Sequence, residues 1–337
     1  MRAFVTGGTG LLGNNLVRLL VEKGWEVKIL VRSAGKVQML LQDLNVEVVI
    51  GDLSDVERWA PQMMHCDVLF NTAAYFRETF GRGSHWDSLM KINVVNTLRM
   101  FELAEQYGVG KIVHTSSNAT IGKRKDGGLS DEGDRLAPDE ALNMYGKSKI
   151  IGDQAIDEFM QQHRIPVVTV LPAWMFGPGD AAPTGSGQLV LNFLARKIPG
   201  YFPSGIDVVD ARDVALAMYR AAETALTGQR YILSAHYSSL EELFRFMGKA
   251  SGIPGPSKSF PKSMVYMSTW FNERLARLRN TETSLSIQEL QVMTEMKRTS
   301  GKKAQRELSI AYRPLEDTIR DTVKWYLSRK EKYLSAK

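Results

Sequence analysis

Thr6-Gly7-Gly8-Thr9-Gly10-Leu11-Leu12-Gly13 follows a short apolar run, residues 3–6, and leads into a helical pattern over 12–23. In that pattern Leu12, Leu16, Leu19 and Leu20 share one face. A glycine-rich turn between a strand and a helix is where a dinucleotide pyrophosphate docks. Glycine permits the tight turn and a close backbone approach, and free N–H groups at the helix start face the anion. The spacing Gly7-x-x-Gly10-x-x-Gly13 differs from the general G-x-G-x-x-G pattern, so its weight comes from its place in a first βαβ unit. Gly7, Thr9, Gly10, Leu11, Leu12 and Gly13 are the expected cofactor-binding turn.

The rest of the first half keeps the same rhythm. Strand-like runs at 27–31, 47–50, 68–71, 111–115 and 166–171 alternate with helical runs at 56–64, 86–107 and 145–163. The alternation predicts an α/β fold, a doubly wound parallel (Rossmann) sheet covered by helices on both faces. After Leu171 the rhythm breaks into a segment rich in Gly and Pro with one helical piece at 188–197. Residues 208–209, 213–224 and 230–233 read as one more strand–helix–strand unit returning to the main sheet. Further helices are expected at 239–252, 262–279, 284–298 and 314–329. The expected division is a dinucleotide-binding domain, 1–171 plus about 206–233, and a smaller, mostly helical substrate domain, 172–205 plus 234–337.

Composition narrows the function classes. The single cysteine, Cys66, forms no intrachain disulfide, which fits a reducing compartment. The net charge of +6 is carried by scattered residues and gives no case for nucleic acid. No stretch reaches the ~18 uncharged apolar residues of a membrane span, and the first residues lack a signal-peptide plan. A soluble cytoplasmic protein is the default expectation. No metal spacing is visible: His65, Cys66 and Asp67 are consecutive. Gly146-Lys147-Ser148 resembles the end of a P-loop, but Ala141 stands where its glycine belongs.

Two further positions bear on the cofactor. The second strand ends Val31-Arg32-Ser33, with no carboxylate for a ribose 2′-OH. Arg32 can stack on adenine and pair with a 2′-phosphate, with Lys36 adding a second charge, so the reading is NADP(H) rather than NAD(H). Gly51-Asp52-Leu53 follows the third strand. There Asp52 either accepts from the adenine amino group, with Leu53 against the ring, or is a turn or helix-capping residue. For chemistry, Tyr145 and Lys149 are four apart on one helix face. An ammonium beside a phenol stabilises the phenolate and makes it a usable proton donor or acceptor. A serine opposite, from the strand end Thr115-Ser116-Ser117, can hold the same substrate oxygen.

These pieces together (TGGTGLLG, LVRS, GDLSD, NTAAYF, INVVNT, HTSSNATIG, YGKSK, LPAWMFGPGD, VVDARDVALAM and the closing AQRELSIAYRPLEDTIRDTVKWYLS) run nearly end to end. On them the chain resembles an extended short-chain dehydrogenase/reductase, nearest the dihydroflavonol-4-reductase-like branch of the NAD-dependent epimerase/dehydratase superfamily. The resemblance implies that Ser117 is the catalytic serine, with Ser116 its nearest rival, that Tyr145 is the acid/base, and that Lys149 binds the nicotinamide ribose. It places Ala73, Ala74, Tyr75 and Ser116 along the cofactor, and Pro172 to Met175, including Trp174, beside the nicotinamide. Asn93 matches the asparagine of the family's N-V-x-G-T motif, although Asn96 stands where glycine is usual, so a structural hydrogen bond is as good an account as catalysis.

The implied reaction is NADP(H)-dependent reduction of the carbonyl of a small, largely apolar molecule. Phe76, Ala119, Phe176 and Tyr201 join Tyr75, Trp174 and Met175 as candidate lining. A nucleotide-sugar epimerase or dehydratase using NAD, a hydroxysteroid-type dehydrogenase and a non-catalytic NADP(H)-binding sensor stay open as alternatives. A homodimer through the helices at 86–107 and 145–163 is a further expectation. The segment 262–279 reads as a lid, an interface, a membrane-surface helix or ordinary packing.

Overall fold

The computed structural model describes residues 1–76, 85–279 and 285–334. Among the described residues ten strands fall into two sheets. β1 (Arg2–Thr6), β2 (Glu26–Val31), β3 (Glu47–Ile50), β4 (Val68–Asn71), β5 (Lys111–Thr115) and β6 (Val167–Pro172) lie in an all-parallel seven-stranded sheet with β9 (Arg230–Leu233), in the order β3-β2-β1-β4-β5-β6-β9. β7 (Trp174–Phe176), β8 (Ile206–Asp210) and β10 (His236–Ser238) form a small mixed sheet, β10-β8-β7. β4 and β6 are buried throughout, which is why they read as unbroken apolar runs rather than alternating ones.

The helices are α1 (Leu11–Glu22), α2 (Ala34–Leu40), α3 (Val56–Trp59), α4 (Trp86–Met90), α5 (Asn96–Gln106), α6 (Met144–Gln162), α7 (Gly185–Leu194), α8 (Ala211–Thr224), α9 (Leu240–Ser251), α10 (Lys262–Arg279), α11 (Ile287–Glu295), α12 (Lys302–Glu307) and α13 (Leu315–Leu327). α1 and α8 cover one face of the large sheet through Leu16, Val17, Leu20, Val214 and Met218. α3, α5 and α6 cover the other, where Phe4 stacks on Trp59 at 5.6 Å and Phe101 meets Phe159 edge-on. A third apolar cluster joins α7, α9, α11 and α13 to the small sheet through Phe193, Phe244, Leu290 and Ile319. Among the described residues no helix is long and apolar enough to cross a membrane.

The architecture is the Rossmann-like α/β sheet expected, with four local differences. β8 does not return to the large sheet as expected for 208–209; it pairs with β7 and β10, and only α8 and β9 rejoin the main layers. α2 and α12 stand in segments for which no element was expected. The expected single helix at 86–107 is α4, a π-helical turn Lys91–Val95, and α5. The Thr97 hydroxyl donates to the Ile92 carbonyl at 2.9 Å across that wider turn. The helix expected at 284–298 is shorter, and its first residue lies outside the described residues.

A polar chain crosses the middle of the large sheet. Thr6 Oγ1 donates to Asn71 Oδ1 at 2.7 Å, and Asn71 Nδ2 lies 3.1 Å from His114 Nδ1. Burial, then the charges of Lys149 and Arg230, push the His114 pKa well below 6.5. The unfolded chain therefore binds a proton that the folded chain refuses. Stability from this group is present above about pH 6.5 and is lost as pH falls, by up to about 1.4 kcal/mol per pH unit. Urea unfolding of the wild type below pH 6.5 should show a steeper loss with acid than His114→Gln does.

Candidate active site

Because the large sheet is all parallel, the C-terminal ends of its strands share one edge. The turn after β1, Arg32 after β2, Asp52 after β3, Thr72–Tyr75 after β4, Ser116–Ser117 after β5 and Ala173 after β6 all emerge there. β2 lies on one side of β1 and β4 on the other, so the chain reverses its order at the β1/β4 gap. In open α/β sheets ligands bind outside the strand ends at such a gap.

The turn after β1 is held by backbone alone. Gly10 N donates to Gly7 O at 2.9 Å, and Gly7 has φ +71°. A Cβ on Gly7 would stand 3.0 Å from Ala73 N, and one on Gly13 would stand 2.1 Å from the Gly7 carbonyl oxygen. α1 then starts with no side-chain cap and no acid in its first turn. Its first N–H groups have no intrahelical partner, which suits an anionic diphosphate. The residues present fit a dinucleotide. Arg32 is exposed directly before α2, whose N-cap Ser33 makes no side-chain cap, and Lys36 lies in the first turn of that helix.

Asp52 is a turn residue first: its Oδ1 accepts from Ser54 N at 2.8 Å. Burial pushes its pKa up, but the Ser54 hydroxyl and amide and the Arg32 charge hold it below the usual range. Leu53 packs beside the Trp59 cluster, and its carbonyl accepts from Asn96 Nδ2 at 2.6 Å.

Ala73, Ala74 and Tyr75 cross the edge beyond β4. Asn93, in the π-helical turn, fixes them there: its Oδ1 accepts from Tyr75 N at 2.8 Å and its Nδ2 donates to Tyr75 O at 3.0 Å. The same Nδ2 reaches Ser148 Oγ at 3.2 Å on α6. Asn93 is a backbone clamp that joins the β4 loop to the helix bearing Tyr145.

α6 starts where Asn143 Oδ1 accepts from Gly146 N at 2.6 Å. That cap places Tyr145 in the first turn and Lys149 one turn deeper. Lys149 is 4% exposed. Its ammonium donates to the Thr115 carbonyl at 3.0 Å and lies 5.9 Å from the centre of the Tyr145 ring. Burial pulls its pKa down to about 8, with the Asp153 carboxylate opposing. Ser117 opens a 3₁₀ turn, Asn118–Thr120, and its Oγ accepts from Ala119 N at 3.1 Å. A Cβ on Gly146 would lie 3.7 Å from Ala119 Cβ, so the start of α6 runs against this turn. Ser116 is buried, and its hydroxyl has no hydrogen-bond partner.

Among the candidate lining residues, Phe76 is exposed and meets the Tyr145 ring edge-on at 4.5 Å. Pro172 ends β6. Trp174 and Met175 on β7 alternate, Trp174 against the helical cluster and Met175 against the sheet cluster. Phe176 is 1% exposed within the cluster of α7, α9 and α13. Tyr201 forms an isolated parallel bridge with Ser259, and a hydrogen bond to Glu241, followed by burial, raises its hydroxyl pKa.

Two charged residues beside the candidate site were missed from the sequence. Asp153 and Arg230 form a buried ion pair at 2.7 Å, and Arg230 also donates to Thr120 Oγ1 at 3.2 Å. Asp153 lies four residues after Lys149, so spacing alone could have found it; Arg230 carries no such signal.

The family model for the NAD dependent epimerase/dehydratase family matches residues 3–234. The chain belongs to this family. Within this nicotinamide-dependent family of oxidoreductases and epimerases, the chain is similar to several reductase-like relatives. A putative dihydroflavonol 4-reductase of Synechocystis is 32% identical over 96% of this chain and 94% of its own. Sterol demethylase protein B of Methylococcus capsulatus is 27% identical over 98% and 99%. The crystal structure of gox2253 superposes with a TM-score of 0.82 at 30% identity, covering 97% of this chain and 98% of its own.

Gly13→Ala should abolish reduced-nicotinamide binding, read by fluorescence, and lower the thermal midpoint, because α1 must move off Gly7. Gly10→Ala, whose Cβ would stand 3.3 Å from the same oxygen, should be the milder change.

Proposed function

We propose that this epimerase/dehydratase-family chain is an NADP(H)-dependent reductase of a ketone or aldehyde on a small, largely apolar molecule, worked by Ser117, Tyr145 and Lys149. The observation that carries the reading is the buried Lys149 ammonium, anchored on the Thr115 carbonyl beside Ser117 and set one turn from Tyr145. Binding alone needs no such proton-handling group. Arg32, exposed directly after Val31, the residue that stands where a 2′-OH-binding acid belongs, supports the phosphorylated cofactor. The reductase names of several relatives agree.

A bound nicotinamide supplies the hydride for the carbonyl carbon. The chain does the rest. The Ser117 hydroxyl, rotationally fixed by the Ala119 amide, donates to the carbonyl oxygen and orients it. The Tyr145 hydroxyl gives its proton to that oxygen as negative charge develops. Lys149 stabilises the resulting phenolate through its charge. Phe76, Trp174 and Met175 offer apolar surface at the cleft and exclude water. The helical cluster around α7, α9 and α13 is the proposed substrate side.

Intrinsic tryptophan fluorescence titrated with NADPH and NADH tests the cofactor assignment. NADPH should bind more tightly by about 10- to 100-fold, the worth of a charge-assisted contact. Arg32→Ser should erase the difference. NADH preference, or NAD carried through purification, would move the nucleotide-sugar reading to first place. Tyr145→Phe should lower kcat by about 10²- to 10⁴-fold. Reduction should decline as pH rises past about 8, where Lys149 loses its proton; a pH–rate profile at saturating NADPH checks this.

A further inference from the structure

We propose that Lys297 is a positioning residue for Ser117, reaching the catalytic turn from the helical side of the molecule. The inference rests on the functional reading of Ser117 given above. Lys297 follows α11, far in sequence from the large sheet. Its Nζ donates to Asn118 O at 2.9 Å and to Ile121 O at 2.7 Å. Those carbonyls bracket the 3₁₀ turn that Ser117 opens.

The contact lies at the centre of a seam between 295–300 and 118–130. Lys123 Nζ donates to Glu295 O at 2.7 Å, Ser130 N to Arg298 O at 2.9 Å, and Ser300 N to Ser130 O at 2.8 Å. Among the described residues Lys297 has no ion-pair partner within salt-bridge distance. Two carboxylates act on its charge: Glu295, two residues before it, and Asp207 across the seam on β8, which is committed to the amide and hydroxyl of Thr299 at 2.7 and 2.6 Å. The ammonium is therefore held by carbonyl dipoles. A methionine of similar length would fill the space without the cost of removing a charge from water. What the lysine adds is direction: two carbonyls aimed at one point fix the planes of the peptides around the turn.

The other side of the turn is also held. Thr120 Oγ1 donates to Ser117 O at 3.0 Å and accepts from Arg230 at 3.2 Å. The sheet thus grips the turn through Arg230, and the helical side grips it through Lys297. The Ser117 hydroxyl takes its direction from the Ala119 amide inside that turn, so a loosened turn redirects the hydroxyl. α11 is tied to α10 by Tyr266 OH and Thr294 Oγ1 at 2.8 Å, so the grip extends into the helices of the proposed substrate side.

The test is a double-mutant cycle between Lys297→Met and Ser117→Ala, followed by NADPH oxidation with phenanthrenequinone, a flat apolar dicarbonyl. Lys297→Met should lower kcat by about 10- to 100-fold, the scale of a small misplacement of a reacting group, with the KM for NADPH unchanged. The double variant should be no slower than Ser117→Ala alone, because the lysine acts only through the serine. Lys297→Arg, which keeps donors for both carbonyls, should restore most of the rate. Additive losses, a wild-type kcat in Lys297→Met, or a loss confined to NADPH binding would each overturn the proposal. Full turnover in Ser117→Ala would instead overturn the functional reading, and the proposal with it. Should Lys297→Met not fold, Lys297→Gln enters the same cycle. Hydrogen exchange of the 116–123 amides, faster in that variant with β5 unchanged, gives a readout independent of substrate; unchanged exchange overturns the proposal.

Discussion

A lysine held almost out of water organises this molecule's working edge. Lys149 satisfies its ammonium on the Thr115 carbonyl, the last residue of β5, and so ties α6 to the strand that delivers Ser117. Everything the candidate chemistry needs is arranged about that tie. Tyr145 rides one turn above it, Asp153 one turn below, and Arg230 closes the pair behind it from the adjacent edge of the sheet. Burial draws the lysine's proton affinity down to about the range of physiological pH. A group so poised stays charged on a small margin, and the surrounding carboxylate and carbonyl keep it there.

The sheet and the phosphate turn were legible in the sequence because their causes are local. Gly13 has to be glycine for contact with Gly7, strand β4 has to be apolar on both faces, and Tyr145 and Lys149 have to be four apart to share a helix face. What escaped is non-local. β8 looks like a main-sheet strand, since all five of its residues are buried, and burial does not say which sheet does the burying. Phe176 shares the Trp174 side of β7, and only the packing of α7, α9 and α13 around it makes it the more deeply buried of the two. Lys297 is an ordinary surface-type residue in composition. Only the folded chain brings it 2.7 Å from a carbonyl 176 positions away.

The site lies where two kinds of packing meet. The dinucleotide edge is made of strand ends and backbone turns, whose geometry follows from the parallel sheet and belongs to the whole family. The helical cluster is built from bulky side chains on α7, α9, α11 and α13, and its shape is free to vary without touching the strand ends. Family membership therefore speaks to the first and little to the second, and relatives of similar fold carry names as different as reductase and epimerase.

The π-helical turn at Lys91–Val95 gives the helix around it two phases. Leu89, Asn93, Thr97 and Phe101 recur every fourth residue, and all are buried. In a pure α-helix each step of four over-rotates by about 40°, so by Phe101 the stripe would have wandered by about 120°. The wider turn returns roughly one residue's worth, about 100°, and realigns the stripe. The helix thus behaves like two rods joined out of phase, one set by the clamp on Tyr75 and the other by the aromatic core under β5. Its length in residues is consequently quantised: a deletion of a single residue between the two rods would satisfy the loop beside the cofactor edge or the packing of Phe101, and never both.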